Sequence, residues 1–381
     1  MIQRLYNNLI HDRLGKFPAV AILGPRQCGK ATLARQLGGA YFDLEQEGGR
    51  LLLDARWAEL MSGRQLVVLD EAQSAPAVFP RLRGAIDEDR GRNGRFLLLG
   101  SVSPSLIKSI SESLAGRLAV VEMSPFILGE LPPGRMDDLW LCGGFPEGGI
   151  LDRAMFGVWQ DSYLKLLTQR DLPAWGLPAK PGVTDRLIRM LAALSGQALN
   201  ASQLGASLAL DAKTVAGYCD YLEGAFLIRR LPPYLPNTRK RLVKSAKVFW
   251  RDSGLLHFLM GVGNIEQLFS QPWVGHGWES FVVEQTLASL AASGANARPH
   301  FYRTSDGREL DLVLDWGVER WAVEIKLTSA PSTDMIERLN RTADMIGATK
   351  RAIVCRTAQT IETDRLLVVD LPGWIRRLSD R

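Results

Sequence analysis

The sequence has little cysteine and little histidine. Its four cysteines, Cys28, Cys142, Cys219 and Cys355, are too scattered for a paired-cysteine metal clip or a dense disulfide framework. They fit a reducing compartment. The four histidines, His11, His257, His276 and His300, lack the spacing of a zinc site or a serine–histidine dyad. No stretch reaches the ~18 consecutive apolar residues of a membrane-spanning helix. The opening MIQRLYNNLIHDRL carries charges and amides where a signal peptide needs an apolar centre. Internal repeats and low-complexity tracts are missing too. The expectation is a soluble, cytoplasmic protein with no membrane partner. Excess charge is also scarce: 46 Lys+Arg against 41 Asp+Glu leave +5, too little to imply nucleic acid by itself. A hydrophobic share of 46% excludes wholesale disorder.

At roughly 100–200 residues per domain, 381 residues predict two or three domains. Short apolar runs at 18–23, 66–70 and 96–99 alternate with helical segments such as 30–37, the pattern of a parallel α/β sheet covered on both faces. Pro125, Pro132, Pro133 and Gly134 end that pattern, and GGFPEGG at 143–149 reads as a loop. Residues 151–228 read as helices. A short one over 202–208, with Ser202 as N-cap, is followed by one that Asp211 caps and that runs to about Leu222. Two strand-like runs, 226–231 and 242–250, then flank PPYLPNTRKR. Helix–turn–helix followed by a hairpin is the outline of a winged-helix domain. Beyond 254 the order is α-β-β-β-α-β-β.

Gly24, Pro25, Arg26, Gln27, Cys28, Gly29 and Lys30 follow the first strand and open a helix. That is the setting of a phosphate-binding loop, in which backbone N–H groups and the helix N-terminus cradle phosphates and Lys30 reaches the terminal ones. LVVLDE places Asp70 and Glu71 at the end of a buried strand, where unengaged carboxylates are costly. Asp70 is the candidate for Mg²⁺ and Glu71 for orienting and deprotonating the attacking water. The residue after the lysine, ordinarily a Ser or Thr whose hydroxyl holds Mg²⁺, is Ala31. Thr32 is turned about 100° around the helix and is not expected to replace it. Nucleotide binding is expected to survive, with Mg²⁺ affinity and hydrolysis weakened.

GPRQCGKATLARQL, LVVLDEAQ, FLLLGS, SLAGR and GGFPEGG resemble the AAA-type ATPases of bacteria and archaea that carry a C-terminal domain of unknown function. The resemblance continues through DSYLKLLTQRDL, LEGAFLIRRLPPY and YRTSDGRELDLVL to VEIK, nearly the whole chain. It implies ATP/ADP with Mg²⁺ as ligands, a γ-phosphate-sensing role for Ser101, and transition-state charge stabilisation by Arg117. A surface ion pair is the other reading of Arg117.

In ELDLVLDWGVERWAVEIK a hairpin turning at Gly317-Val318 sets Asp311 opposite Glu324, with Lys326 on the face of Glu324. Two carboxylates and a lysine on one sheet face make the PD-(D/E)xK nuclease pattern. Asp311 and Glu324 would hold Mg²⁺ or Mn²⁺, Glu279 or Glu284 would add a helix-borne acid, and Lys326 would position water. A structural ion pair, or a scaffold that binds without cleaving, remains the other reading.

Between Arg229 and Asp252 lie eight bases, Arg229, Arg230, Arg239, Lys240, Arg241, Lys244, Lys247 and Arg251, against one acid, Asp252. This patch is the expected contact to a nucleic-acid backbone, with little sequence specificity. The fold class expected is α/β: an AAA-type P-loop NTPase domain (1–135), a helical and winged-helix domain (136–253), and a PD-(D/E)xK nuclease-like domain (254–381). The function expected is ATP binding coupled to a nucleic-acid-binding, metal-dependent nuclease domain. The alternative is a non-nucleolytic switch, or a homo-oligomeric ATPase whose last domain binds a partner.

Overall fold

The computed structural model describes residues 2–100, 112–235 and 243–380. The first unit is a parallel sheet of β1 (Ala19–Leu23), β2 (Ala40–Asp43), β3 (Val67–Asp70), β4 (Phe96–Gly100) and β5 (Leu118–Glu122), in the order β2-β3-β4-β1-β5. The strands read as unbroken apolar runs because both faces are covered. Val20, Ile22, Val68, Leu97 and Leu99 pack with α1 (Tyr6–Lys16) and α2 (Lys30–Leu37). Their neighbours Ala19, Ala21, Val67, Leu69 and Leu98 pack with α3 (Glu47–Ser62) and α4 (Val78–Glu88). The split follows the two-residue period of a strand. Parallel pairing brings the carboxyl ends of β1 and β3 to one edge, where α/β sheets bind ligands.

Next come α5 (Met136–Cys142), α6 (Val158–Leu166), α7 (Pro181–Ala193), β6 (Gln197–Ala198), α8 (Ala201–Leu208), α9 (Ala212–Gly224), β7 (Ile228–Leu231) and β8 (Lys247–Trp250). The three strands form an antiparallel sheet in the order β6-β8-β7. Asp211 caps α9, accepting from the Thr214 amide at 2.8 Å. Helix α8 is capped by Asn200, which accepts from the Gln203 amide at 3.1 Å; Ser202, expected as the cap, lies inside the first turn. Part of GGFPEGG is a short helical turn, Pro146–Ile150, rather than open loop.

The last unit holds α10 (Ser253–Leu259), α11 (Val274–Ser293), β9 (Arg298–Arg303), β10 (Glu309–Asp315), β11 (Arg320–Ile325), α12 (Thr333–Met345), β12 (Lys350–Val354), β13 (Ile361–Glu362), β14 (Leu366–Val369) and α13 (Leu371–Ser379). Its mixed sheet has the order β13-β14-β12-β11-β10-β9. Helices α11 and α13 cover one face and α12 the other. The β10–β11 hairpin turns at Gly317-Val318, with φ +88° at Gly317 and the Trp316 amide donating to the Glu319 carbonyl at 2.9 Å. Leu312 pairs with Val323 and Asp315 with Arg320, so Asp311 comes opposite Glu324. A bulge between Leu310 and Val313 interrupts pairing with β9 beside Asp311, a device that re-aims side chains near sites. Among the described residues, no helix is long and apolar enough to cross a membrane.

Candidate functional sites

The loop after β1 curls into the N-terminus of α2 through Gln27 (φ +61°) and Gly29 (φ +98°). Gly24 must be glycine: a Cβ there would sit 2.2 Å from the Met123 carbonyl oxygen. Lys30 is 7% exposed, and its Nζ donates to the carbonyls of Gly24 (2.9 Å) and Pro25 (2.8 Å). The loop is braced from outside. Arg4 donates to the Cys28 carbonyl at 2.8 Å, Arg26 to Asp171 at 3.0 Å, and the Trp159 indole to Gln27 Oε1 at 3.0 Å. Cys28 is buried against Met123.

Asp70 ends β3. One of its oxygens accepts from the Tyr41 hydroxyl, the other from the Glu71 amide at 2.9 Å. Glu71 has a left-handed backbone (φ +48°) and accepts from the Gln73 amide group. Burial raises its pKa, against the attraction of Lys30 and Arg26. The structure thus gathers Lys30, Asp70 and Glu71 at one sheet edge. Ala31 is half-buried against the core that contains Leu33 and Ala34. Thr32 instead lines a cleft of about 430 Å³ with Gly29, Leu33, Ile2, Phe126, Pro146 and Leu151.

Arg117 lies elsewhere. It precedes β5, whose first residue pairs with Ala19 at the start of β1, and its guanidinium grips Asp87 with two 2.9 Å bonds. The length of β1, roughly 16 Å at ~3.3 Å per residue, separates it from the loop of its own chain. A catalytic role within one chain is therefore corrected to a surface ion pair. Ser101 lies outside the described residues.

The second cluster is in the last unit. Asp311, 5% exposed, accepts from the Ile325 amide (2.8 Å) and from Lys326 Nζ (3.0 Å). Lys326 also meets Glu324 at 2.8 Å. Burial, and then the charge of Asp311, push the Glu324 carboxyl up to about 7, against Lys326. Glu279, on α11, contacts Lys247 at 2.7 Å, and the same ammonium meets Glu309 at 2.6 Å. Burial alone would lower the pKa of Lys247, but Glu279, Asp311 and Glu309 outweigh it and raise it. Glu284, the other helix acid considered, pairs with Arg229 at 2.5 Å. A cleft of about 480 Å³ opens over Glu324 and Lys326, walled by Arg308, Glu309, Arg338 and Arg341. Among the described residues, no three acids, histidines or cysteines converge as a ready-made metal-ligand set. The carboxylates come in pairs, each bridged by a lysine.

Comparison with known proteins adds the family. The chain is 36% identical over 324 residues to "Uncharacterized protein Rv2008c" of Mycobacterium tuberculosis and, equally, to "Uncharacterized protein Mb2031c" of Mycobacterium bovis. Each match covers 84% of this chain and 72% of the relative. The chain belongs to the family of these mycobacterial proteins. Residues 16–131 match the AAA domain, 134–266 a domain of unknown function (DUF8612), and 274–374 another (DUF4143). Among solved structures it is similar to the Walker-type ATPase PABY2304 of Pyrococcus abyssi, at 16% identity and TM-score 0.47 over 67% of this chain and 94% of that one. A RuvB variant of Thermotoga maritima matches at 20% identity and TM-score 0.31, over 60% and 89%. This member of the family thus carries an AAA-type P-loop ATPase domain.

In this family member four of the five described bases of the patch read from sequence are held in ion pairs. Arg229 pairs with Glu284, Arg230 with Asp220 and Glu223, Arg251 with Glu122, and Lys247 with Glu279 and Glu309. Lys244 is exposed; Arg239, Lys240 and Arg241 lie outside the described residues. The flanks of that loop dock on β9: the Tyr234 amide donates to the Phe301 carbonyl at 2.6 Å and the Val243 amide to that of Arg303 at 3.1 Å. Sequence reasoning missed Lys247 and Glu309 as members of the carboxylate cluster. The signal was there: Lys247 opens KVFW, an apolar run, and a lysine within a two-sided buried strand needs acids nearby.

Proposed function

We propose that this chain is an ATP-dependent switch whose AAA-type domain controls a metal-dependent, nucleic-acid-cleaving site in its last unit. The observation that carries the reading is the Asp311–Glu324–Lys326 group, whose Glu324 and Lys326 line a cleft walled by Arg308, Arg338 and Arg341 while Asp311 is buried behind them. Arginines around acids and a lysine suit a phosphodiester chain: the guanidiniums take phosphate oxygens, and Lys326 positions the attacking water. A divalent ion held by Asp311 and Glu324 would supply positive charge to the phosphate. In this reading the three domains are 1–135, 136–253 and 254–381. The α-β-α-α-β-β order of the second supports a winged helix, and the arginine-walled cleft replaces the 229–251 patch as nucleic-acid contact.

At the first site, backbone N–H groups from Arg26 to Lys30 would hold the phosphates of ATP, and the apolar cleft beside Thr32 would take the base. Asp70 would hold Mg²⁺ and Glu71 would orient water. Ala31 offers no oxygen, and Thr32 lines that apolar cleft, so hydrolysis is slow. The non-nucleolytic switch is favoured by one observation, the pairing of the carboxylates with lysines.

A cleavage assay on single- and double-stranded DNA and RNA, with Mn²⁺ and with or without ATP, separates the two. Cleavage that Asp311→Ala and Lys326→Ala abolish supports the nuclease. No cleavage of any form with any divalent metal leaves the switch.

A further inference from the structure

We infer that Lys247 is an internal competitor for divalent metal: its ammonium stands among the acids of the last unit where a second cation would otherwise sit. The inference rests on the metal-dependent reading of that cluster. Four carboxylates gather there, from Glu279, Glu309, Asp311 and Glu324, with two ammoniums between them. Lys326 directly follows β11, in the sheet that carries three of the acids. Lys247 does not: it comes from β8, in the three-stranded sheet of the preceding unit. It is 2% exposed, with its Nζ also 5.6 Å from the centre of the Phe301 ring. An ammonium buried this deeply persists only where carboxylates compensate its lost hydration. Holding Glu279 and Glu309, it keeps them from joining Asp311 and Glu324 around a metal, which accounts for the paired arrangement.

The lysine is placed by a strand, not by a loop. Val248 and Trp250 pack into the core shared with the P-loop unit, while Phe249 packs into the core of the last unit. Lys247 is two residues from Phe249 and shares its face. Four residues along the chain, Arg251 meets Glu122 at 2.5 Å. Glu122 ends β5 and pairs with Leu23, the residue before the phosphate loop. The strand carrying the competing cation is therefore anchored directly beside the nucleotide site. Movement there has a short, ion-paired route to the lysine.

Mn²⁺ binding to the full chain, without nucleotide, followed by the paramagnetic resonance of the free ion, tests this. Lys247→Met is compared with wild type and with the exposed Lys244→Met. Lys247→Met is expected to bind Mn²⁺ at least about tenfold tighter, Lys244→Met like wild type, and Asp311→Ala added to Lys247→Met to lose the gain. Equal affinity in wild type and Lys247→Met overturns the inference while the metal-dependent reading stands. No binding to either overturns both. Should Lys247→Met not fold, acetylation of wild-type lysines read by mass spectrometry decides. Lys247 is expected to be protected without metal and to be labelled as Mn²⁺ is titrated in. No increase in its labelling across the titration overturns the inference.

Discussion

Ala31 is a one-atom question with a measurable answer. The loop around it is intact in backbone terms, with Lys30 folded onto the carbonyls it would leave for phosphate. What is missing is one oxygen toward the metal, and Thr32 cannot lend its own because it lines the apolar cleft. Ala31→Thr restores that oxygen at the position directly after Lys30. One added metal ligand worth about 1.4 kcal/mol in the transition state is about tenfold in rate. ATP turnover is expected to rise by that order with nucleotide affinity little changed; equal turnover in the two proteins refutes the idea. Lys30→Ala is expected to lose binding of ATP itself, read by a fluorescent analogue. Glu324 supplies the pH dependence. Its carboxyl is pushed from 4.5 up to about 7, by burial first and Asp311 second. Between those values the folded chain keeps a proton that the unfolded chain has lost. Stability therefore falls as pH rises through that window and levels off above it. Glu324→Gln, neutral throughout, removes this part of the slope. Urea unfolding at about pH 5 and about pH 8 measures it, and an unaltered difference in the variant would discount Glu324 as its source.

The elements that sequence exposed most clearly were those with one dominant constraint. Strands β1, β3 and β4 read as apolar runs because two helical layers cover them, and α9 announced its start with Asp211. The β10–β11 register followed from a single glycine turn, which also fixed Asp311 against Glu324. The β7–β8 hairpin was legible as a hairpin but not in its surroundings. A count of eight bases suggests a solvated wing, yet three of them, Arg229, Lys247 and Arg251, are neutralised by acids of β5, α11 and β10, far away in sequence, and Arg230 by Glu223 of the neighbouring α9. Pairing partners brought by tertiary packing leave no local pattern. Close junctions are equally silent. Gly254, in the first turn of α10, has no turn signal, but a Cβ there would lie 1.8 Å from the Cys142 carbonyl oxygen, forcing α10 away from α5. Gly254→Ala is expected to cost about 1–3 kcal/mol. Gly217→Ala, in α9 with nothing within 4 Å of the new methyl, is expected to be neutral or slightly stabilising. Calorimetric melting of the pair checks both; equal Tm values would show that α10 shifts freely.

At the scale of the molecule, the three units share their interiors. One apolar cluster runs from Val20 and Leu33 of the P-loop unit through Leu187, Val215 and Trp250; another joins Trp140 and Phe249 to Trp278 and Leu312. Polar ties cross the same boundaries. Arg356 grips Asp137 with bonds of 2.7 and 3.0 Å, and Gln285 accepts from the Leu128 amide at 2.7 Å. The tie that touches all three units is the group of Glu122, Arg229, Arg251 and Glu284. Arg251 is the member whose loss uncouples most, since Arg229 alone still neutralises Glu284 but holds Glu122 only at 3.8 Å. Removing one partner of a buried ion pair costs about 3–5 kcal/mol, and the 42% exposed Glu122 side chain moves Arg251→Gln below that range. Position matters more than size. If the group is the mechanical joint between nucleotide site and carboxylate cluster, Arg251→Gln loosens both of its far ends. Hydrogen exchange is expected to speed up together in β8 and in the α11 turns carrying Glu279 and Glu284, while β1 and β4 stay protected. Exchange that changes only in β5 would make the group a local brace of the first sheet, and the two sites would then communicate by another route or not at all.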